Sequence, residues 1–143
     1  MLVPWSSLAD ETVMMPFANG RRRMVVYPQK KPLILLTSRP PQLETPFSVF
    51  NKGIFTPNDE FFVRYHLAGI PTSIDSDKFR VEVKGQVNSP LSLALRDLKK
   101  DFEPVELAAV LQCSGNGRAF FNPRVTGGQS GNGTMGNARW KGV

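Results

Sequence analysis

Hydrophobic and polar positions in this chain fall into short blocks that predict strands joined by turns, with one short helix. Leu33-Ile34-Leu35-Leu36 is a compact apolar run and reads as a buried strand. Residues 60–66, Glu-Phe-Phe-Val-Arg-Tyr-His, mix aromatic and β-branched side chains and predict another strand. Alternation there sets Phe62, Arg64 and His66 on one face and Phe61, Val63 and Tyr65 on the other. Residues 78–84 predict a half-buried strand with Phe79, Val81 and Val83 inward, Arg80, Glu82 and Lys84 outward, and Gly85 as its end. Leu91, Leu93 and Leu95 suggest a short strand, and residues 96–102 an amphipathic helix. Residues 105–112, Val-Glu-Leu-Ala-Ala-Val-Leu-Gln, read as a buried apolar strand running straight into Cys113-Ser114-Gly115-Asn116-Gly117.

Two regions break this pattern. Residues 1–46 carry seven prolines, at positions 4, 16, 28, 32, 40, 41 and 46. Proline removes a donor and resists helix interiors, so this segment is expected to be an extended wrap with little regular structure, followed by a domain from residue 47 to 143. Near the other end, Gly127, Gly128, Gly131, Gly133 and Gly136 crowd one stretch. It predicts a shaped loop whose backbone approaches something closely. The fold class expected is α+β.

Composition changes this picture little. Of 143 residues, 41% are hydrophobic and 21% charged, as in an ordinary globular domain. The net charge of +6, part of it in Arg21-Arg22-Arg23 and Lys30-Lys31, fits an anionic small molecule, nucleic acid, an anionic membrane or an acidic protein, or simply a solvated surface. No apolar run approaches the ~20 residues needed to cross a bilayer. The N-terminus has neither the basic nor the long apolar region of a secretory signal. The end at Arg139-Trp140-Lys141-Gly142-Val143, with no closing helix or polar tail, suggests part of a longer protein.

The candidate chemistry lies at Cys113. It is the single cysteine, so no intrachain disulfide can form. A strand ending in Cys-Ser-Gly-Asn-Gly sets the thiol at a strand tip, with Gly115 and Gly117 leaving room beside the sulfur. Backbone N–H groups in such a turn can point at a negative centre, and Arg118 is close enough to reach back across it. A lone cysteine can also be a small buried hydrophobe. A cysteine hydrolase would need His66, the single histidine, as base. There is no second cysteine for zinc or an iron–sulfur cluster. A metal held by Cys113 would therefore bring most of its own ligands. The pattern alone leaves nucleophile and metal ligand both open.

The run Leu111-Gln112-Cys113-Ser114-Gly115-Asn116-Gly117-Arg118 resembles the cysteine loop of the sulfite oxidase family of molybdopterin-dependent oxidoreductases. Phe62-Val63-Arg64-Tyr65-His66 resembles that family's Phe-x-Arg-x-His motif, and Gly136-Asn137-Ala138-Arg139-Trp140 its Ala-Arg-Trp segment. Residues 32–47 resemble the N-terminal part of bacterial members. Together the similarities cover essentially the whole chain.

The resemblance implies a sulfite-oxidase-type molybdopterin-binding domain, with Cys113 as the molybdenum ligand beside two dithiolene sulfurs of a pterin. Residues Phe62, Val63, Arg64, Tyr65 and His66 would line the cofactor. Arg64, His66 and Arg118 would be catalytic, the arginines binding an oxyanion through charge-assisted hydrogen bonds. The implied reaction is oxidation of sulfite to sulfate with electrons passed to a cytochrome c, and the cofactor is molybdenum-molybdopterin with no haem in this chain. Full-length relatives suggest a periplasmic location, a cytoplasmic one being the alternative, and a homodimer formed through a further C-terminal domain. Ser130 stands where the family usually has a pocket-walling Trp, and Tyr65 where animal members have Asn. The rival readings are a molybdoenzyme acting on another S- or N-oxide, such as a sulfoxide reductase-like member, and a basic anion- or nucleic-acid-binding module built on Arg21 to Arg23.

Overall fold

The computed structural model describes residues 6–67, 69, 71 and 73–143, with the backbone alone for residues 6–10 and 18. The first five residues, on which part of the N-terminal reading rests, lie outside it. The chain divides into two compact units, Met1–Gly69 with Ala108–Ala138, and Ile70–Leu107 with Arg139–Val143.

The first unit is built on a five-stranded antiparallel meander. Its strands are β1 (Ser6–Met14), β2 (Arg21–Val26), β3 (Leu33–Ser38), β4 (Pro41–Glu44) and β5 (Val63–Arg64), paired in chain order. This corrects the expectation of an irregular Pro-rich wrap. The prolines at positions 16, 28, 32, 41 and 46 punctuate strands without interrupting them. Pro16 lies just before the short turn between β1 and β2. Pro28 falls in the β2–β3 connection and Pro32 directly precedes β3. Pro41 is the first residue of β4, and Pro46 follows its end. Proline at a strand's first residue costs little in ladder hydrogen bonds.

Period-two alternation gives this sheet two apolar faces. Met24, Ile34 and Leu36 cluster with Met15 and Ala119. Val25, Leu33, Leu43 and Val63 form the other cluster, with Tyr27, Leu35 and Tyr65 against it. Leu33 and Leu43 are fully buried, as the apolar run predicts for β3. The strand expected over residues 60–66 is shorter, only β5, yet its alternation holds: Phe61 and Val63 are buried while Arg64 and His66 are exposed.

The second unit contains β6 (Arg80–Val83) paired antiparallel with β7 (Leu91–Ala94), followed by α1 (Leu95–Asp101). Asp97 Oδ2 accepts the Ala94 backbone N–H at 3.0 Å and so caps the helix start. Lys99 and Lys100 sit favourably in its last turn. The inward face expected of β6 is only partly covered, since Phe79 and Val83 remain exposed.

A third, two-stranded sheet joins β8 (Val105–Gln112) to β9 (Met135–Gly142). Lys141 Nζ and Glu106 Oε1 pair across it at 3.1 Å. The expectation that β8 is buried is corrected: Val105, Leu107, Val110 and Leu111 are all exposed. β9 is its one strand neighbour, and nothing among the described residues closes over these side chains. The architecture is sheet-rich with little helix, in keeping with a mixed fold.

Candidate functional site

β8 ends at Gln112, and the chain then turns through Cys113. The Cys113 N–H donates to Thr134 O at 2.9 Å, and Asn116 N–H closes the turn on Cys113 O at 2.9 Å. Asn116 Oδ1 in turn accepts from the Thr134 N–H at 3.0 Å and from Thr134 Oγ1 at 2.8 Å. Gly117 adopts φ 83°, a left-handed conformation that suits glycine and lets the chain reverse. The Gly115 N–H lies 3.4 Å from Cys113 Sγ, giving the sulfur a backbone donor, and the cysteine itself is only half-buried.

This turn is fastened to the glycine-rich loop. Gly117 N–H donates to Gly131 O at 2.6 Å and Ala119 N–H to Ser130 O at 2.8 Å. Ala119 is fully buried against Met24, Ile34 and Leu36, so it anchors the cysteine loop on one face of the meander. Asn19 Nδ2 adds a hydrogen bond to Ala119 O at 3.2 Å. Ser130 is buried among these bonds.

What the glycine-rich loop approaches closely is strand β4. Glu44 Oε2 accepts the Gly131 N–H at 2.8 Å, and Oε1 accepts the Gly133 N–H at 2.7 Å. Thr45 N–H donates to Gly133 O at 3.1 Å. A Cβ on Gly133 would collide with the carbonyl oxygen of Thr45, and one on Gly128 would lie 2.6 Å from Gln42 Oε1. Burial pushes the Glu44 carboxyl above its ordinary range, and the N–H bonds from Gly133 and Gly131 pull it partly back.

Arg118 lies over the same turn. A Cβ on Gly115 would meet its guanidinium at 3.3 Å, and Nη1 reaches Gly128 O at 3.4 Å. Arg64 stands opposite Gln42 in the β4–β5 register, and Gln42 abuts Gly128. A continuous chain of neighbours therefore runs from Arg64 through Gln42 and Gly128 to Arg118. Arg64 Nη1 donates to Tyr65 O, and Nη2 lies 3.4 Å from His66 Nδ1. A guanidinium can only donate, so a hydrogen bond here makes Nδ1 the acceptor and leaves the Nε2 side of the ring for other partners. Tyr65 turns the other way, onto the cluster of Val25, Leu33, Leu43 and Val63. There it hydrogen-bonds Tyr27, whose hydroxyl is pushed above its usual range first by burial and then by this partner.

Of the residues singled out in the sequence, Cys113 and Arg118 share one turn. Arg64 and His66 stand together on the exposed side of β5, and Phe62 stacks on Phe61 with ring centroids 5.3 Å apart. Val63 and Tyr65 face the core. Among the described residues no group of three or more His, Cys, Asp or Glu side chains could hold a metal ion. A half-buried soft sulfur with one backbone N–H donor fits a metal group that supplies its own remaining ligands.

The oxidoreductase molybdopterin-binding domain family matches residues 66–143. The chain belongs to the sulfite oxidase family. Sulfite oxidase of Gallus gallus is 33% identical over 119 residues, covering 81% of this chain and 26% of that protein. The mitochondrial sulfite oxidase of Homo sapiens is 35% identical over 120 residues, covering 81% of this chain and 22% of that protein. A nitrate reductase (NADPH) of Mycosarcoma maydis is 37% identical over 94 residues, covering 63% of this chain and 10% of that protein. The chain thus spans about a quarter of the length of the sulfite oxidases it matches. Membership in this family makes the chain an oxidoreductase domain of the molybdopterin-binding type.

Sequence reasoning missed Glu44, Gln42 and the Asn116–Thr134 pair, which together shape the loops around Cys113. The cue for the first was available: five closely spaced glycines need an acceptor for their freed N–H groups, and a carboxylate inside an apolar strand is a candidate.

Proposed function

We propose that this chain supplies the cysteine ligand and the oxyanion-binding arginines of a molybdenum-molybdopterin enzyme that oxidises sulfite to sulfate and passes electrons to a cytochrome c. The observation that carries the reading is the Cys113 turn, where the sulfur has the Gly115 N–H at 3.4 Å and the Arg118 guanidinium packs over the same Gly115. Cys113 would hold the molybdenum, beside the residues from Phe62 to His66. When bound, the cofactor supplies oxygen-atom transfer and two-electron redox chemistry. Arg64 and Arg118 would neutralise and orient the oxyanion by charge-assisted hydrogen bonds. His66, through Nε2, would donate a further hydrogen bond to the same group. In the full protein a homodimer and a periplasmic site of action complete the reading.

A second reading, reduction of another S- or N-oxide, is favoured by the nitrate reductases among the similar proteins and by Ser130 in place of the expected Trp. Steady-state assays with sulfite and cytochrome c, against nitrate and methyl sulfoxides with a reduced dye, separate the two. Turnover of sulfite with loss of activity in Arg64→Gln supports the first. Turnover only of nitrate or sulfoxide supports the second.

A further inference from the structure

A cavity of about 420 Å³ opens in the first unit, lined by Arg21, Arg22, Arg23, Leu35, Leu36, Thr37, Ser38 and Arg39. None of these is Cys113, Arg64, His66 or Arg118. Its origin lies in the strand register. β2 and β3 pair through Met24 with Ile34 and Val25 with Leu33. The cavity borders the stretches beyond those pairs. A register shift between Leu35 and Thr37 in the β3–β4 pairing bends β3 at the same place, as an extra strand residue does.

Among the described residues, none of the four arginines makes an ion pair. Across the β1–β2 pairing Arg21 faces Met14, Arg22 faces Val13 and Arg23 faces Thr12. Among the described residues every ion pair is made by other cations. Arg22 Nε is buried with no hydrogen-bond partner. A buried donor left unpaired is costly, and each such case calls for a missing acceptor. The cavity volume lies within the range of small-molecule sites, roughly 300–1,000 Å³.

We propose that this cavity binds a small, multiply charged anion bearing phosphoryl groups. Four guanidiniums exceed what a single monoanion would neutralise, and their planar forks match phosphoryl oxygens bidentately. The Ser38 hydroxyl adds a neutral donor beside them, and Arg22 Nε gains its acceptor.

The test is calorimetric titration of the full chain with inorganic pyrophosphate at low ionic strength. Arg22→Gln and Arg39→Gln each weaken binding about tenfold or more, the scale of a lost charged hydrogen bond. Arg22→Lys, which keeps the charge and loses Nε, fails to restore it, while Lys99→Gln, an exposed basic position outside the cavity, leaves the affinity unchanged. Thermal melts confirm that each variant is folded; if Arg22→Gln is not, Arg39→Gln and Arg22→Lys decide. Equal affinity across the wild type, Arg22→Lys and Arg39→Gln would overturn the proposal, because the arginines would then act only as bulk charge. So would loss of binding in Lys99→Gln, or a duplex oligonucleotide that binds more tightly than pyrophosphate and loses affinity in the same variants.

Discussion

Glu44 and Gly133, 89 positions apart in sequence, meet at 2.7 Å, the glycine N–H donating to the Glu44 carboxylate. The same carboxylate holds Gly131 at 2.8 Å. Since Gly131 and its neighbour Ser130 accept the N–H groups of Gly117 and Ala119, Glu44 sets the shape of the Cys113 turn from two steps away.

Replacing this carboxylate tests that role. Glu44→Gln can satisfy only one of the two N–H donors with its single acceptor oxygen, so it destabilises the chain by about 1–3 kcal/mol. It also alters the pH dependence. The folded Glu44 carboxyl is raised above its ordinary 4.5 by burial. Its contribution to stability is therefore full below that ordinary value and is lost as pH rises through the folded value. Denaturant titrations from pH 4 to 7 should show this decline in the wild type, and a flatter profile in Glu44→Gln.

Close backbone approach makes a second prediction. Gly133→Ala places a methyl group against the Thr45 carbonyl oxygen, where rigid backbone cannot yield, and should cost about 3 kcal/mol. Gly53→Ala, with nothing within 4 Å, should change stability by no more than about 0.5 kcal/mol. Thermal melts of the two variants compare them directly.

Burial separates two apolar strands that look alike in sequence. Leu33→Ala, at a fully buried position, should destabilise by about 2–5 kcal/mol. Leu111→Ala on the exposed β8 should fall within about 0.5 kcal/mol of wild type. Urea midpoints measure both.

The arginines proposed to hold the oxyanion should act on binding. Arg64→Gln and Arg118→Gln should each raise KM for sulfite by about ten- to a hundredfold. Arg118→Lys should not restore it, because an ammonium cannot reproduce the guanidinium fork packed over Gly115. Steady-state kinetics at fixed ionic strength show whether the loss falls on KM or on kcat.

Much of this was legible in the chain itself. The apolar run at Leu33 declared β3, period two declared the two faces around Val63 and Arg64, and glycine spacing declared a turn beyond Cys113. Local signals misled where proline density was read as irregularity, although Pro32 and Pro41 sit at strand starts, where a missing N–H is tolerated. The exposure of Leu107 and Leu111 was not legible, since hydrophobicity states a preference for burial and only the packed neighbours decide it. The partnership of Glu44 with Gly131 and Gly133 was hidden by sequence separation: no local pattern links positions 87 and 89 residues apart. The role proposed for Cys113 rests on motif order, because strand tip and glycines alone suit a nucleophile as well as a metal ligand.

X-ray absorption at the molybdenum edge tests the central claim most directly. Protein purified from a molybdopterin-producing host should contain molybdenum, and Cys113→Ser should show one fewer sulfur ligand than the wild type. An unchanged sulfur count in Cys113→Ser, or wild-type protein that takes up no molybdenum, would contradict the assignment of Cys113 as the ligand.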